Sequence, residues 1–149
     1  MTVAMIPLEH TVPTSLRLDV GSSADTIADM IVLNDGFNYH IDEINGANPP
    51  IDLTIFFTDI HRFSKLAYKA YYKGSATHFV SLLLYNHVTK SWNTLTTINH
   101  GLGMNYRFID VPNASDYIRR SGVQARFLHN SINGINSHDF YIEYTALVR

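Results

Sequence analysis

Apolar and polar residues alternate along short segments of this chain, each segment is closed by Gly, Pro, Asn or Ser, and no apolar repeat of helical period persists beyond two turns. A chain patterned in this way folds into β-strands joined by tight turns. Between Lys65 and Lys73, Leu66, Tyr68, Ala70 and Tyr72 fall on one face, while Lys65, Ala67, Lys69, Tyr71 and Lys73 fall on the other. Three lysines on one face mark solvent or a sheet edge. From Phe79 to Tyr85 both faces are largely apolar, with Val80, Leu82 and Leu84 on one and Phe79, Ser81, Leu83 and Tyr85 on the other. That strand is expected at the centre of a sheet. The polar run Asn86-His87-Val88-Thr89-Lys90 then turns the chain into a return strand in which Trp92, Thr94, Thr96 and Ile98 share a face, so the pair reads as a β-hairpin.

The same reading extends along the chain. Leu16, Leu18 and Val20 form a short strand, and 24–28 a single helical turn. Segments 30–33 and 37–41 flank Asn34-Asp35-Gly36, whose residues tolerate positive φ, which predicts a hairpin. Further strands are expected over 51–57, 106–111, 123–127 and 140–148, with a capped turn near 112–120 and loops at 45–50, 101–105 and 130–137. In the first fifteen residues, Pro7 and Pro13 block helix and interrupt a strand ladder, so 1–15 reads as an extended arm in front of one domain, 16–149. Nine or ten short strands without a long helix predict an all-β antiparallel sandwich, and a jelly roll is the form chosen.

The chain is long enough, at 149 residues, to bury a core without staples, and it has no cysteine, which removes disulfides, thiolate metal sites and a cysteine nucleophile. A formal charge of −2 and a charged fraction of only 16% argue against a nucleic-acid partner. No segment is apolar enough to span a membrane, and the start lacks the basic and apolar regions of a secretion signal. The surface must then be covered by Asn, Ser, Thr, Tyr and His, a composition suited to contact with other protein.

Catalytic spacing is missing from the sequence. It has no G-x-S-x-G elbow, no phosphate-cradling glycine loop and no HExxH, so no catalytic residue, metal ligand or cofactor is assigned. Eight histidines nevertheless call for inspection. His40 and Asp42 share a strand face, and Asp35, Asp42 and Glu43 are the nearest acidic group, without the Asp-x-Asp-x-Asp loop of a calcium site. A weak internal echo places His78 four residues after Gly74 and His138 four residues after Gly134, each before an alternating segment. Each imidazole is expected to tie down its loop by bonding a backbone carbonyl. Exposed aromatics on a sandwich can stack on pyranose rings, and Tyr71, Trp92 and Tyr141 are the candidates for such glycan contact.

The order YHIDEINGANPPIDLTIFFTDI, YYKGSATHFVSLLLYNHVTKSWNTL and VQARFLHNSINGINSHDFYIEYTALV, over about 29–148, resembles small jelly-roll virion proteins of tailed bacteriophages, akin in fold to carbohydrate-binding modules. The resemblance implies a non-enzymatic capsid decoration or cement protein on the virion surface, made in the host cytoplasm without a signal peptide. Its implied partners are the major capsid protein and sister subunits in a homodimer or homotrimer. By the resemblance the arm from Thr2 to Pro13 would lie on the capsid or a sister subunit, and its contact candidates are Val3, Met5, Ile6, Leu8 and Val12. The alternative implied by the same fold is a carbohydrate-binding module recognising a surface glycan.

Overall fold

The computed structural model describes residues 9–149, and in it the alternating segments become ten strands. In chain order they are β1 (His10–Thr11), β2 (Ser15–Val20), β3 (Tyr39–Asp42), β4 (Asp52–Phe57), β5 (Lys65–Lys73), β6 (Phe79–Asn86), β7 (Ser91–Asn99), β8 (Asn105–Asp110), β9 (Val123–His129) and β10 (Asp139–Val148). Two single 3-10 turns, Ile27–Met30 and Ala114–Tyr117, are the helical pieces among the described residues.

All strand pairings are antiparallel, in two five-stranded sheets. The first runs β3-β10-β5-β8, with β1 pairing the far end of β10 on the same side as β3; the second runs β2-β4-β9-β6-β7. Apart from the β6–β7 hairpin, successive strands alternate between the sheets, and β9 and β10 return to the centres, which is the wound-up ribbon of a jelly roll. The expected sandwich is therefore present. The inner faces meet through Tyr39, Ile41, Leu53, Ile55, Leu66, Tyr72, Val80, Leu82, Phe127, Phe140 and Ile142, all at most 2% exposed. Here the period-two pattern becomes the core: each strand sends every second residue inward and withdraws that apolar area from water.

Two local expectations need correction. The 30–41 hairpin does not form: the Asn34 to Gly36 turn is present with Asn34 at φ 62° and Gly36 at φ 79°, but Ile31 makes only an isolated bridge to Tyr144, and Tyr39–Asp42 pairs with β10. The edge of β10 offers burial on the core, and that outweighs local turn preference. Where it is described, the arm runs along its own domain. His10–Thr11 pairs with Leu147 and Val148, and Val12 packs on Ala67, Tyr144, Ala146 and Val148 of its own domain. Val3, Met5, Ile6 and Leu8 lie outside the described residues. The second corrected expectation is the face of β7: Thr96 and Ile98 do not share the face of Trp92. A bulge between Leu82 and Leu83 leaves Leu95 extra in β7, so Ile98 opposite Val80 turns into the core while Trp92 opposite Tyr85 turns outward.

Candidate functional site

The outer face of the second sheet carries Trp92. Its position follows from the β6–β7 hairpin, whose turn is fixed by Asn86: the Asn86 Oδ1 accepts the Val88 N–H at 2.9 Å and the Thr89 N–H at 3.0 Å. With the turn held, Tyr85 stands directly opposite Trp92, and the two rings meet edge to face with centroids 5.2 Å apart. His87 packs on the other side of Tyr85, at 5.0 Å.

One strand inward from β6, Arg126 reaches across the face until its guanidinium carbon lies 5.3 Å from the centre of the Trp92 ring. Asp52 on β4 holds it there by two charge-assisted hydrogen bonds, Nε to Oδ1 at 2.7 Å and Nη2 to Oδ2 at 2.6 Å. Donating these hydrogen bonds to Asp52 raises the Arg126 pKa above its ordinary value, so the cation is permanent. Arg126 thus covers one side of Trp92, and β7, which carries the half-buried ring, is an edge strand. Beside this group opens a groove of about 550 Å³, lined by Phe56, Tyr85, His87, Arg119, Arg120 and Gln124 among others. Burial, with the Arg119 charge adding, pushes the His87 pKa below its ordinary value, so the ring lining the groove is neutral at pH 7.

Tyr71 and Tyr141 are on the outer face of the other sheet, so the fold does not bring the three aromatic candidates together. There His40, Tyr141 and Tyr71 stand in register across β3, β10 and β5. Their rings stack on one another, His40 to Tyr141 at 4.5 Å and 7°, Tyr141 to Tyr71 at 6.1 Å and 26°. Both faces of Tyr141 are thereby covered, and only its edge and hydroxyl remain for a ligand. The next rung sets Asp139 between Asp42 and Lys73, with His40 Nε2 2.9 Å from Asp139 and 3.2 Å from Asp42. The shared strand face of His40 and Asp42 is as expected, and Asp139 completes the group. A hydrogen bond with Asp139 pushes the Asp42 carboxyl up.

A third constellation was invisible to spacing. At the end of the sandwich away from Trp92, Glu43, His78, His129 and His138 converge with the Tyr72 hydroxyl between the sheets. His78 and His138 do not bond backbone carbonyls as expected; both turn to Glu43. Burial alone would raise the Glu43 pKa, but hydrogen bonds from His129, Tyr72 and the Ile135 N–H outweigh it and hold the carboxyl at about 2. Among the described residues, Glu43 with His78 and His138, and His40 with Asp42 and Asp139, are the groups whose donor atoms lie within 4.8 Å of one another, as a metal ion requires. The signal in the sequence was the twin Gly-x-x-x-His echo. Gly74 is required because a Cβ there would lie 2.4 Å from the Tyr72 hydroxyl, and Gly134 because a Cβ would lie 2.1 Å from the Ile44 carbonyl oxygen.

No family model matches this sequence, and no curated protein matches it. Solved structures do match in fold. A family 29 carbohydrate-binding module, CBM29-2, complexed with cellulohexaose superposes with a TM-score of 0.62 at 12% identity, covering 97% of this chain and 93% of that one. Another structure of a family 29 module gives 0.62 at 13% identity, covering 96% and 90%. A CBM29-2 complex with mannohexaose gives 0.58 at 11%, covering 96% and 93%. At this identity the likeness establishes the β-sandwich architecture of the chain.

Proposed function

We propose that this protein is a non-catalytic carbohydrate-binding module that holds a glycan on the outer face of its second sheet. The observation that carries the reading is Trp92: a half-buried ring braced by Arg126 on an edge strand, beside an open groove lined by polar and aromatic side chains. A pyranose ring presents an apolar C–H face and a rim of hydroxyls, so it needs an aromatic platform inside a polar frame. Trp92 is the platform. Arg126, Asp52 and Gln124 supply the frame, and Tyr85 with His87 extends it toward the groove. The solved structures of similar fold, two of them complexed with hexose oligosaccharides, support the same reading. The capsid-decoration reading draws no support from these likenesses, and four of its five contact candidates lie outside the described residues.

The test is calorimetric titration with cellohexaose and mannohexaose, followed by a wider glycan array, on the wild type and Trp92→Ala. Covering on the order of 100 Å² of apolar surface at roughly 25 cal/mol per Å² contributes ~2.5 kcal/mol, so the variant should bind about 60-fold more weakly. Wild-type affinity in a folded Trp92→Ala protein refutes the site; no bound glycan on the array refutes the function.

A further inference from the structure

We propose that Glu43, His78, His129 and His138 form a structural zinc site that pins the two sheets together at the end of the sandwich opposite Trp92. The four residues come from separate parts of the chain: Glu43 follows β3, His78 precedes β6, His129 ends β9 and His138 precedes β10. They join β3 and β10 of one sheet to β6 and β9 of the other. Their side chains are withdrawn from solvent, at 0% exposure for Glu43 and His129, 4% for His78 and 13% for His138.

Spacing is the first argument. Glu43 Oε2 lies 3.1 Å from His129 Nε2 and 3.3 Å from His138 Nδ1, and Oε1 lies 3.3 Å from His78 Nδ1. His78 Nδ1 and His129 Nε2 are 3.2 Å apart. Four-coordinate zinc with bonds of roughly 2.0–2.1 Å holds neighbouring ligand atoms roughly 3.3–3.4 Å apart, the edge of the tetrahedron. Three imidazoles and a carboxylate are a donor set that zinc accepts, and no thiolate competes because the chain has no cysteine.

Ring orientation is the second. His129 Nδ1 lies 2.9 Å from the Asn130 carbonyl oxygen, which can only accept, so Nδ1 carries the hydrogen. Its Nε2 therefore points into the cluster, 3.1 Å from Glu43 Oε2 and 3.1 Å from the Tyr72 hydroxyl. A ring whose outer N–H is fixed by a backbone carbonyl while the other nitrogen points at a cluster of donors is the usual posture of a metal-bound histidine. The surroundings are organised in the same way. The Tyr72 hydroxyl donates to Glu43 Oε2, the Ile135 N–H donates to Oε1 at 3.1 Å, and Asn130 ties the His78 segment to β9 through the Phe79 N–H at 3.1 Å and the Thr77 carbonyl at 3.0 Å.

The experiment uses the untagged full chain, purified without chelator. Elemental analysis should find about one equivalent of zinc, and cobalt in its place should give the visible bands of a tetrahedral ion. If zinc is present at about 1,000 times its dissociation constant, stripping it should lower the Tm by roughly 8–16 °C, restored on adding zinc back. Glu43→Gln and, as the milder change at the least buried ligand, His138→Asn should lose both the metal and the Tm response. A metal-free protein whose Tm ignores zinc and chelator, and which gives no cobalt spectrum, overturns the proposal in favour of a Glu43–imidazolium network. Copper or iron in place of zinc overturns the choice of ion.

Discussion

Asp52→Ala tests the idea that the Trp92 platform is held from behind by an ion pair. The carboxylate and guanidinium side chains are 11% and 24% exposed, between a buried pair and a surface one. Removing one partner of a buried pair costs about 3–5 kcal/mol, because the other charge is left without compensation, whereas exposed pairs contribute about 0–1 kcal/mol. For this geometry about 2–3 kcal/mol is expected, or a fall in Tm of roughly 4–12 °C at this chain length. Arg126→Met keeps the apolar stem over the indole and removes the charge, so Asp52→Ala with Arg126→Met should recover about half of the loss. Trp92 is the single tryptophan of the chain, so its emission reports this corner without further labelling. In Asp52→Ala the emission should move to the red and become easier to quench, as the released guanidinium uncovers the ring. A Tm loss under about 1 °C, or a double variant no more stable than Asp52→Ala alone, would refute the account in which the pair stabilises the platform.

The remaining expectations divide the faces and test the fold. Tyr141→Ala and Tyr71→Ala should leave glycan affinity within about 2-fold of wild type, because Tyr141 has both ring faces covered and both residues lie on the opposite sheet; a 10-fold loss in either titration would move the site to the first sheet. Gly134→Ala drives a Cβ to 2.1 Å from the Ile44 carbonyl oxygen and 2.5 Å from Pro50, with no flexible side chain to yield on the carbonyl side. Forcing that loop apart should cost about 3–4 kcal/mol in chemical denaturation, since overpacking adds to the strain on the Gly134 N–H to Ala47 and Gly46 N–H to Gly134 hydrogen bonds, at 2.9 Å and 3.0 Å. An unchanged midpoint would show that the loop is looser than its contacts imply.

Strands whose burial alternates strictly were legible in the sequence. In β5 and β9 every second residue is buried for several positions, and the β6–β7 hairpin followed from its polar turn. Which residues of β7 share the outward face of Trp92 was not readable, because a single extra residue in the strand changes which side chains face the core, and a bulge has no signature in period two. Strand β3 found its partner about a hundred residues away on β10 instead of across its own Asp-Gly turn. The Glu43 group stayed hidden for the related reason that its members are brought together by four different strand connections. Only the paired Gly-x-x-x-His segments hinted at it, and they pointed to loops held by imidazoles without saying by what.

The order in which the strands are made bears on how the first sheet is completed. Its central strand, β10, is the last of the ten to leave the ribosome, and β1, β3 and β5 all take their hydrogen bonds from it. Until then β5 has β8 on one side and an open edge on the other, while β1 and β3 have no sheet to join. The second sheet similarly waits for β9 to bridge the β2–β4 and β6–β7 pairs. Nearly all of the chain must therefore be synthesised before either layer can close, which makes a nascent or shortened chain a set of unpaired hairpin edges, and gives chaperones their longest window on this protein just before β9 and β10 arrive.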